Sequence, residues 1–134
     1  MKHKRYRNIM TYATFKEAYE NGEIESAEFT CRGCAFRNRA NVLNNYIASI
    51  SSDINFKSNN SYLFFETEPD NKYDDKAIMI VCGGEIFGTV GYVGREFIDE
   101  VHKILDSCDE YRIEFNPADI GTNDMTMNIY YIVA

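Results

Sequence analysis

The spacing of apolar side chains changes several times along the chain, and each change marks a different element. Residues 1–13 keep no sustained period and predict a loose or edge-docked N-terminal arm. Thr14 and Glu17 have the spacing of a capping box. Phe15, Ala18 and Tyr19 then share one helical face and Gly22 is a good stop, so a short helix is expected at about 14–21. From Glu28 to Phe36 the period drops to two: Phe29, Cys31 and Gly33 alternate with Thr30, Arg32 and Cys34, which predicts a strand. Val42, Leu43, Tyr46, Ile47 and Ile50 return to helical spacing, so residues 40–50 read as an amphipathic helix inserted after that strand. Residues 51–60 are polar and turn-like.

Strand character resumes at Ser61–Thr67, which holds Tyr62, Leu63, Phe64 and Phe65. A polar loop from Glu68 to Lys76, opened by Pro69, separates it from the continuous apolar run Ala77–Cys82, expected to be a central, buried strand. Gly83-Gly84 is a hairpin signal. Glu85–Tyr92 is the returning strand, where Gly88 and Gly91 suggest a bulge or sharp coiling. Phe97, Ile98, Val101, Ile104 and Leu105 line one face of a helix over Arg95–Leu105, and strands follow at Glu110–Asn116 and Met125–Val133. Six strands adjoin one another more often than they alternate with the three helices. That disfavours a doubly wound parallel sheet and favours a mainly β, α+β fold: a small, partly open barrel decorated by two or three helices.

The 134 residues suit one domain, with 1–25 as arm and short helix and 26–134 as the barrel. Ten Tyr and nine Phe in a chain 45% apolar fit a strand-rich core. No run of 18 apolar residues could span a membrane. No apolar run follows the basic start Met1–Arg7, so no secretory signal is expected. The four cysteines are therefore read as reduced thiols of a cytoplasmic protein. The net charge of −7 argues mildly against a general nucleic-acid binder. Its distribution changes that picture. Residues 1–64 carry nine Lys/Arg against six Asp/Glu, a net of +3, and residues 65–134 carry five against fifteen, a net of −10. Any phosphate-binding surface should draw on the N-terminal half, where Arg32, Arg37 and Arg39 lie in an acid-free stretch from Phe29 to Ser52.

Enzymatic readings find little support. Cys31 and Cys34 form a CxxC, but zinc normally needs four ligands. Cys82, Cys108, His3 and His102 stand alone, and in a strand the two thiols would point to opposite faces. No helix N-terminus directly follows Cys34 to activate it for redox work. Asp70–Val81 fails the calcium-loop pattern at Lys72, Asp75 and Val81. No phosphate-binding P-loop occurs, and Gly88, Gly91 and Gly94 are spaced by three, unlike a dinucleotide fingerprint. His102 is expected on a solvated helix face. Glu66 and Glu68 share a strand face and read as exposed carboxylates. The chain is expected to be no enzyme and to need no metal or other cofactor.

The informative stretch runs from Leu63 to Glu96. It contains Glu68-Pro69-Asp70-Asn71-Lys72-Tyr73-Asp74-Asp75-Lys76-Ala77-Ile78 and then Gly91-Tyr92-Val93-Gly94-Arg95. This resembles the HIRAN family signature: an apolar strand, E-P-x-N-x-Y-D-x-x-A-I, a second apolar strand, and G-Y-hydrophobic-x-R before a helix. The segment Phe29–Phe36, with Gly33 and Phe36, resembles the family's opening strand. The likeness covers residues 28–133. The helix at 40–50 is longer than the family's usual connection, Lys72 stands where Pro is usual, Gly94 stands where Pro is frequent, and residues 1–25 lie outside.

The resemblance implies an OB-like small β-barrel and a non-catalytic module. Some relatives stand alone in bacteria and phages; others are fused to helicase-type ATPases that remodel stalled replication forks. The best understood hold the terminal nucleotides of a 3′ single strand. Carried over, Tyr73 and Asp74 would grip the strand end, Phe36 would be an aromatic wall, and Tyr92 and Arg95 would line the other side. Stacking on Tyr or Phe contributes about 1–3 kcal/mol per base. Arg95, Arg37, Arg39 and Lys76 could hold phosphates. Asp74 could accept a hydrogen bond from a free 3′ hydroxyl while repelling phosphate. Asn71 belongs to the same loop. It and Asp74 have a plainer role open to them, tying the turn through side-chain-to-backbone bonds, and Phe36 could equally be core. The expected partners are single-stranded DNA with a 3′ hydroxyl and a helicase or other repair protein, with no membrane. The alternative is a protein-interaction or regulatory module that keeps the fold and has lost DNA binding, which the acidic C-terminal half favours.

Overall fold

The computed structural model describes residues 2–52, 63–83 and 88–134, with the backbone only for residues 49–52. Three helices and six strands follow one another: α1 (Tyr12–Glu20), β1 (Ile24–Arg32), α2 (Arg39–Ser52), β2 (Leu63–Thr67), β3 (Ile78–Cys82), β4 (Gly88–Val93), α3 (Ile98–Ser107), β5 (Cys108–Phe115) and β6 (Asp124–Val133). The fold is α+β. All six strands form one antiparallel sheet in the order β2-β3-β4-β1-β6-β5. The sheet is not closed by strand pairing, because β2 and β5 remain its two edges. It curls until those edges approach: Phe65 on β2 and Tyr111 on β5 have ring centroids 5.4 Å apart, and Phe29 of β1 lies 5.4 Å from Phe65.

The N-terminal arm occupies the seam between the edges and docks on both. Tyr6 N–H donates to Phe65 C=O at 3.0 Å and Thr67 N–H to Lys4 C=O at 2.9 Å. Farther along, Tyr111 N–H donates to Asn8 C=O at 3.0 Å and Met10 N–H to Tyr111 C=O at 2.8 Å. The Tyr111 hydroxyl, wholly buried, accepts from Phe65 N–H at 3.0 Å and donates to Tyr6 C=O at 2.7 Å. Edge strands carry unpaired backbone groups that a fold must satisfy, and here the arm and one phenol satisfy several of them. Tyr6 and Met10 join the buried residues.

Several element boundaries differ from the sequence expectation, and two of the differences move residues of interest. The cap of α1 is Thr11, whose hydroxyl accepts from Thr14 N–H at 3.2 Å; Thr14 lies within the helix instead of capping it. The first strand spans Ile24–Arg32 and stops before Gly33, whose φ of 76° turns the chain out of the sheet. Cys34 and Phe36 thus belong to a turn. α1 lies against the β5–β6 end of the sheet. Phe15 meets the Tyr130 ring edge-on at 5.3 Å, and the Arg112 guanidinium sits 5.8 Å from the Tyr12 ring and 6.0 Å from that of Phe15.

β3 is buried along its whole length and pairs on both sides, as its unbroken apolar run predicts. The expected irregularity near Gly88 and Gly91 is a register shift: Ile80 faces Gly91 while Val81 faces Thr89. The Gly83-Gly84 hairpin, the turn-like 51–60 segment and the start of the Ser61 strand fall wholly or partly outside the described residues. Leu43 and Tyr46 of α2, with Ile98, Val101, Ile104 and Leu105 of α3, complete one continuous core with the inward side chains of the sheet. Each large apolar side chain so buried contributes about 1.5–3 kcal/mol. No described helix is long and apolar enough to cross a membrane.

Candidate nucleic-acid interface

The loop between β2 and β3 is built by its own polar side chains. The Asn71 amide oxygen accepts from Tyr73 N–H at 2.9 Å and Asp74 N–H at 3.0 Å, while its amide nitrogen donates to Glu68 at 2.6 Å. One Asp74 carboxylate oxygen accepts from Lys76 N–H at 2.9 Å. Glu68 N–H donates to Ala77 C=O at 3.0 Å and Ala77 N–H to Asp74 C=O at 3.1 Å, closing the loop. His102 on α3 adds a 3.0 Å hydrogen bond to the Lys76 carbonyl. Such side-chain-to-backbone bonds fix a polar turn without any core of its own. Tyr73, with no place in that network beyond its backbone, stands 89% exposed at the tip.

Beside this loop lies an open cleft of about 390 Å³, lined by Arg39, Asn71, Tyr73, Asp74, Tyr92 and Arg95 over an apolar floor of Ala77, Val93 and Ile98. Three separate segments supply it. The β2–β3 loop brings Asn71, Tyr73 and Asp74, the end of β4 and the turn after it bring Tyr92 and Arg95, and the start of α2 brings Arg39. The Tyr92 hydroxyl donates to both Glu68 oxygens, at 3.0 and 3.1 Å. Burial, then that hydrogen bond and the Glu68 charge, hold the Tyr92 phenol above its ordinary pKa, so it stays neutral. Arg39 stacks on the Tyr92 ring at 5.4 Å and on the Phe36 ring at 5.1 Å, and its guanidinium donates to Gly33 C=O at 2.9 Å. Among the described residues, the Arg95 guanidinium and the second Asp74 oxygen have no hydrogen-bond partner.

The remaining expected site residues lie around this cleft. Phe36 is 53% exposed, so it is not core, and it joins the cleft through Arg39. Arg37 stacks on the outer side of the same system, 5.1 Å from the Phe36 ring, with a φ of 53°. Lys76 is exposed and does not line the cleft; its backbone anchors the loop at both ends of its peptide. Asn71 lines the cleft with an amide engaged on both ends in the turn.

Two readings change. Glu68 is no loose strand carboxylate: it orients both Tyr92 and Asn71, and its position opening the E-P-D-N run was the available signal. Glu66 turns away to the arm, pairing with Arg5 at 2.9 Å and approaching His3 at 3.4 Å. The CxxC thiols do not point to opposite faces. Because β1 ends at Arg32, the Cys31 and Cys34 sulfurs meet at 2.8 Å. All four cysteines are free thiols. Among the described residues no group of three or more His, Cys, Asp or Glu side chains is placed to hold a metal ion.

The chain is thus a small α+β fold with an open cleft lined by aromatic and arginine side chains. No protein-family profile, no curated protein and no solved structure matches the chain.

Proposed function

We propose that the chain is a non-catalytic, HIRAN-like nucleic-acid-binding module of OB-like architecture that holds the free 3′ end of single-stranded DNA in this cleft. The setting would be DNA repair or a replication fork in the cytoplasm, with a helicase or other repair protein as neighbour. The observation that carries the reading is the juxtaposition of an exposed Tyr73 ring, a half-engaged Asp74 carboxylate and the Arg39 and Arg95 guanidinia around one apolar-floored cleft.

Each group has a task in that reading. A base stacks on Tyr73, and the Phe36–Arg39–Tyr92 stack offers a second sequence-tolerant platform. Arg95 and Arg39 neutralise backbone phosphates. The free oxygen of Asp74 accepts a hydrogen bond from the 3′ hydroxyl, a donor that an internal nucleotide or a 3′ phosphate lacks. Glu68 acts at one remove, fixing Tyr92 and the turn.

Titrating fluorescent single strands that differ only in their 3′ group, across salt, tests this. Tighter binding to the 3′ hydroxyl than to the 3′ phosphate is expected, and equal binding to both and to duplex would overturn it. The net charge of −7 favours the second reading, a protein-interaction module without DNA binding. It predicts no oligonucleotide binding even at low salt, where phosphate contacts are strongest.

A further inference from the structure

The Cys31-Arg32-Gly33-Cys34 segment is a motif to which the cleft assigns no role. Its sulfurs lie 2.8 Å apart, buried together. A disulfide bond is about 2.05 Å long, so closure needs an approach of about 0.8 Å, well within the play of two side chains. A niche surrounds the pair: a Cβ on Gly91 would stand 2.5 Å from the Cys31 sulfur, 3.0 Å from that of Cys34 and 2.7 Å from the Arg32 carbonyl oxygen. Only glycine leaves both sulfurs their place. Gly33, one of the two residues between the cysteines, also touches the groups at the cleft. Gly33 C=O accepts from the Arg39 guanidinium at 2.9 Å and from Phe36 N–H at 3.1 Å.

We propose that Cys31 and Cys34 are a reversible dithiol–disulfide site, oxidised by a small-molecule disulfide, whose state sets the position of Arg39 and Phe36 at the cleft. Cys34 is the attacking group. In the neutral pair Cys34 S–H donates to the Cys31 sulfur at 2.8 Å; once Cys34 is a thiolate the Cys31 thiol donates back to it, and this bond, with the nearby Arg39 charge, puts the Cys34 pKa below its ordinary value. That same hydrogen bond, followed by burial, raises Cys31. Cys34 sits under the exposed turn 35–38, so local opening of that turn admits the oxidant.

The Cys34 thiolate attacks one sulfur of the reagent, forming a mixed disulfide and releasing one thiolate. The Cys31 thiolate then attacks the Cys34 sulfur, forming the Cys31–Cys34 bond and releasing the second. Two electrons pass from the cysteine pair to the reagent, and the two cysteine protons end on the two released thiols. Drawing the sulfurs together turns the Gly33 peptide, and with it the carbonyl that anchors Arg39.

The consequence for ligand binding rests on the proposed single-strand reading; the thiol chemistry does not. The test uses the whole chain, reduced or equilibrated with oxidised glutathione, then alkylated and mapped by mass spectrometry. The expected result is protection of Cys31 and Cys34 as one linked peptide with Cys82 and Cys108 alkylated. Amide hydrogen exchange should change across residues 33–39, and affinity for a 3′-hydroxyl oligonucleotide should change by about tenfold, the size of one charge-assisted contact. Cys34→Ser, with Cys31→Ser as the second variant, should leave exchange and affinity indifferent to the oxidant. Alkylation of all four cysteines after oxidation, a mixed disulfide that never resolves, or a disulfide with unchanged exchange would each overturn the proposal. If neither redox form binds the oligonucleotide, the single-strand reading fails, while the mapping and exchange results still decide the redox site.

Discussion

Replacing Tyr111 by Phe removes one oxygen atom and keeps the ring that packs against Phe65. That oxygen holds two hydrogen bonds, accepting from Phe65 N–H at 3.0 Å and donating to Tyr6 C=O at 2.7 Å, in a fully buried position. The substitution leaves a donor on β2 and an acceptor on the arm facing an apolar edge. Each orphaned buried group costs about 1–3 kcal/mol, and with some relaxation of the arm the net loss is about 3 kcal/mol. An unfolding entropy of about 2.1 cal/mol/K per residue makes about 280 cal/mol/K for the chain of 134 residues, so the expected fall in Tm is about 10 °C. A thermal scan by circular dichroism measures that fall, and urea unfolding measures the free-energy loss. The midpoint should drop with an unchanged slope, and native-state amide exchange should quicken at Phe65 and Tyr6 before it does elsewhere. A loss below about 1 kcal/mol, or Phe65 protection equal to wild type, would refute the idea that this hydroxyl ties the two sheet edges.

Four other outcomes are expected. Tyr73→Ala should weaken binding to a 3′-hydroxyl strand by about 1–3 kcal/mol, read by fluorescence anisotropy, with stability unchanged because the ring is 89% exposed. Arg95→Ala should flatten the plot of log affinity against log salt by about 0.7, one phosphate contact on a single strand. Gly91→Ala would place a Cβ 2.7 Å from the Arg32 carbonyl and 2.5 Å from the Cys31 sulfur; a loss of about 1–3 kcal/mol is expected from denaturant midpoints. The hydrogen bond from His3 to Asp70, with a smaller contribution from Glu66, raises the His3 pKa above 6.5. Its contribution to arm docking is therefore full below pH 6.5 and fades as pH rises through the higher folded value. The protection factor of the Thr67 amide, which donates to Lys4 C=O, should fall over that rise once the intrinsic base-catalysed rate is divided out; His3→Gln should remove that fall.

The parts of the fold that were legible in the sequence are those a period can encode. β3 as an unbroken apolar run, the last strand at Met125–Val133 and the apolar stripe of α3 were expected close to where they lie. Boundaries set by a single dihedral were not. Gly33 fits the alternation of a strand, and nothing in its neighbours announces a φ of 76°. From that one miss came the wrong placement of the two thiols. Thr11 and Thr14 both offer a capping hydroxyl, and local spacing favoured the wrong one. Most of the candidate site was legible, because the loop's turn chemistry and the residues after β4 are compact in sequence. For Glu68 only half was: its place opening the E-P-D-N run marks the bond to Asn71, while the bond to Tyr92, 24 residues away, has no local pattern. The docking of the arm was open between loose and fixed, because its partners on β2 and β5 share no local pattern with it.

The contact between Tyr6 and Tyr111 spans 105 residues. During synthesis at about 5–20 residues per second, the arm would emerge roughly 5–20 seconds before the phenol that fastens it exists. For that interval Tyr6 and Met10 are apolar side chains without their seam, and β2 keeps a bare flank as soon as it pairs with β3. The last stage of assembly is then a zipping of the earliest-made segment into a groove whose far wall, β5, joins the sheet only through β6, so the seam stays open until the final strand pairs with β1.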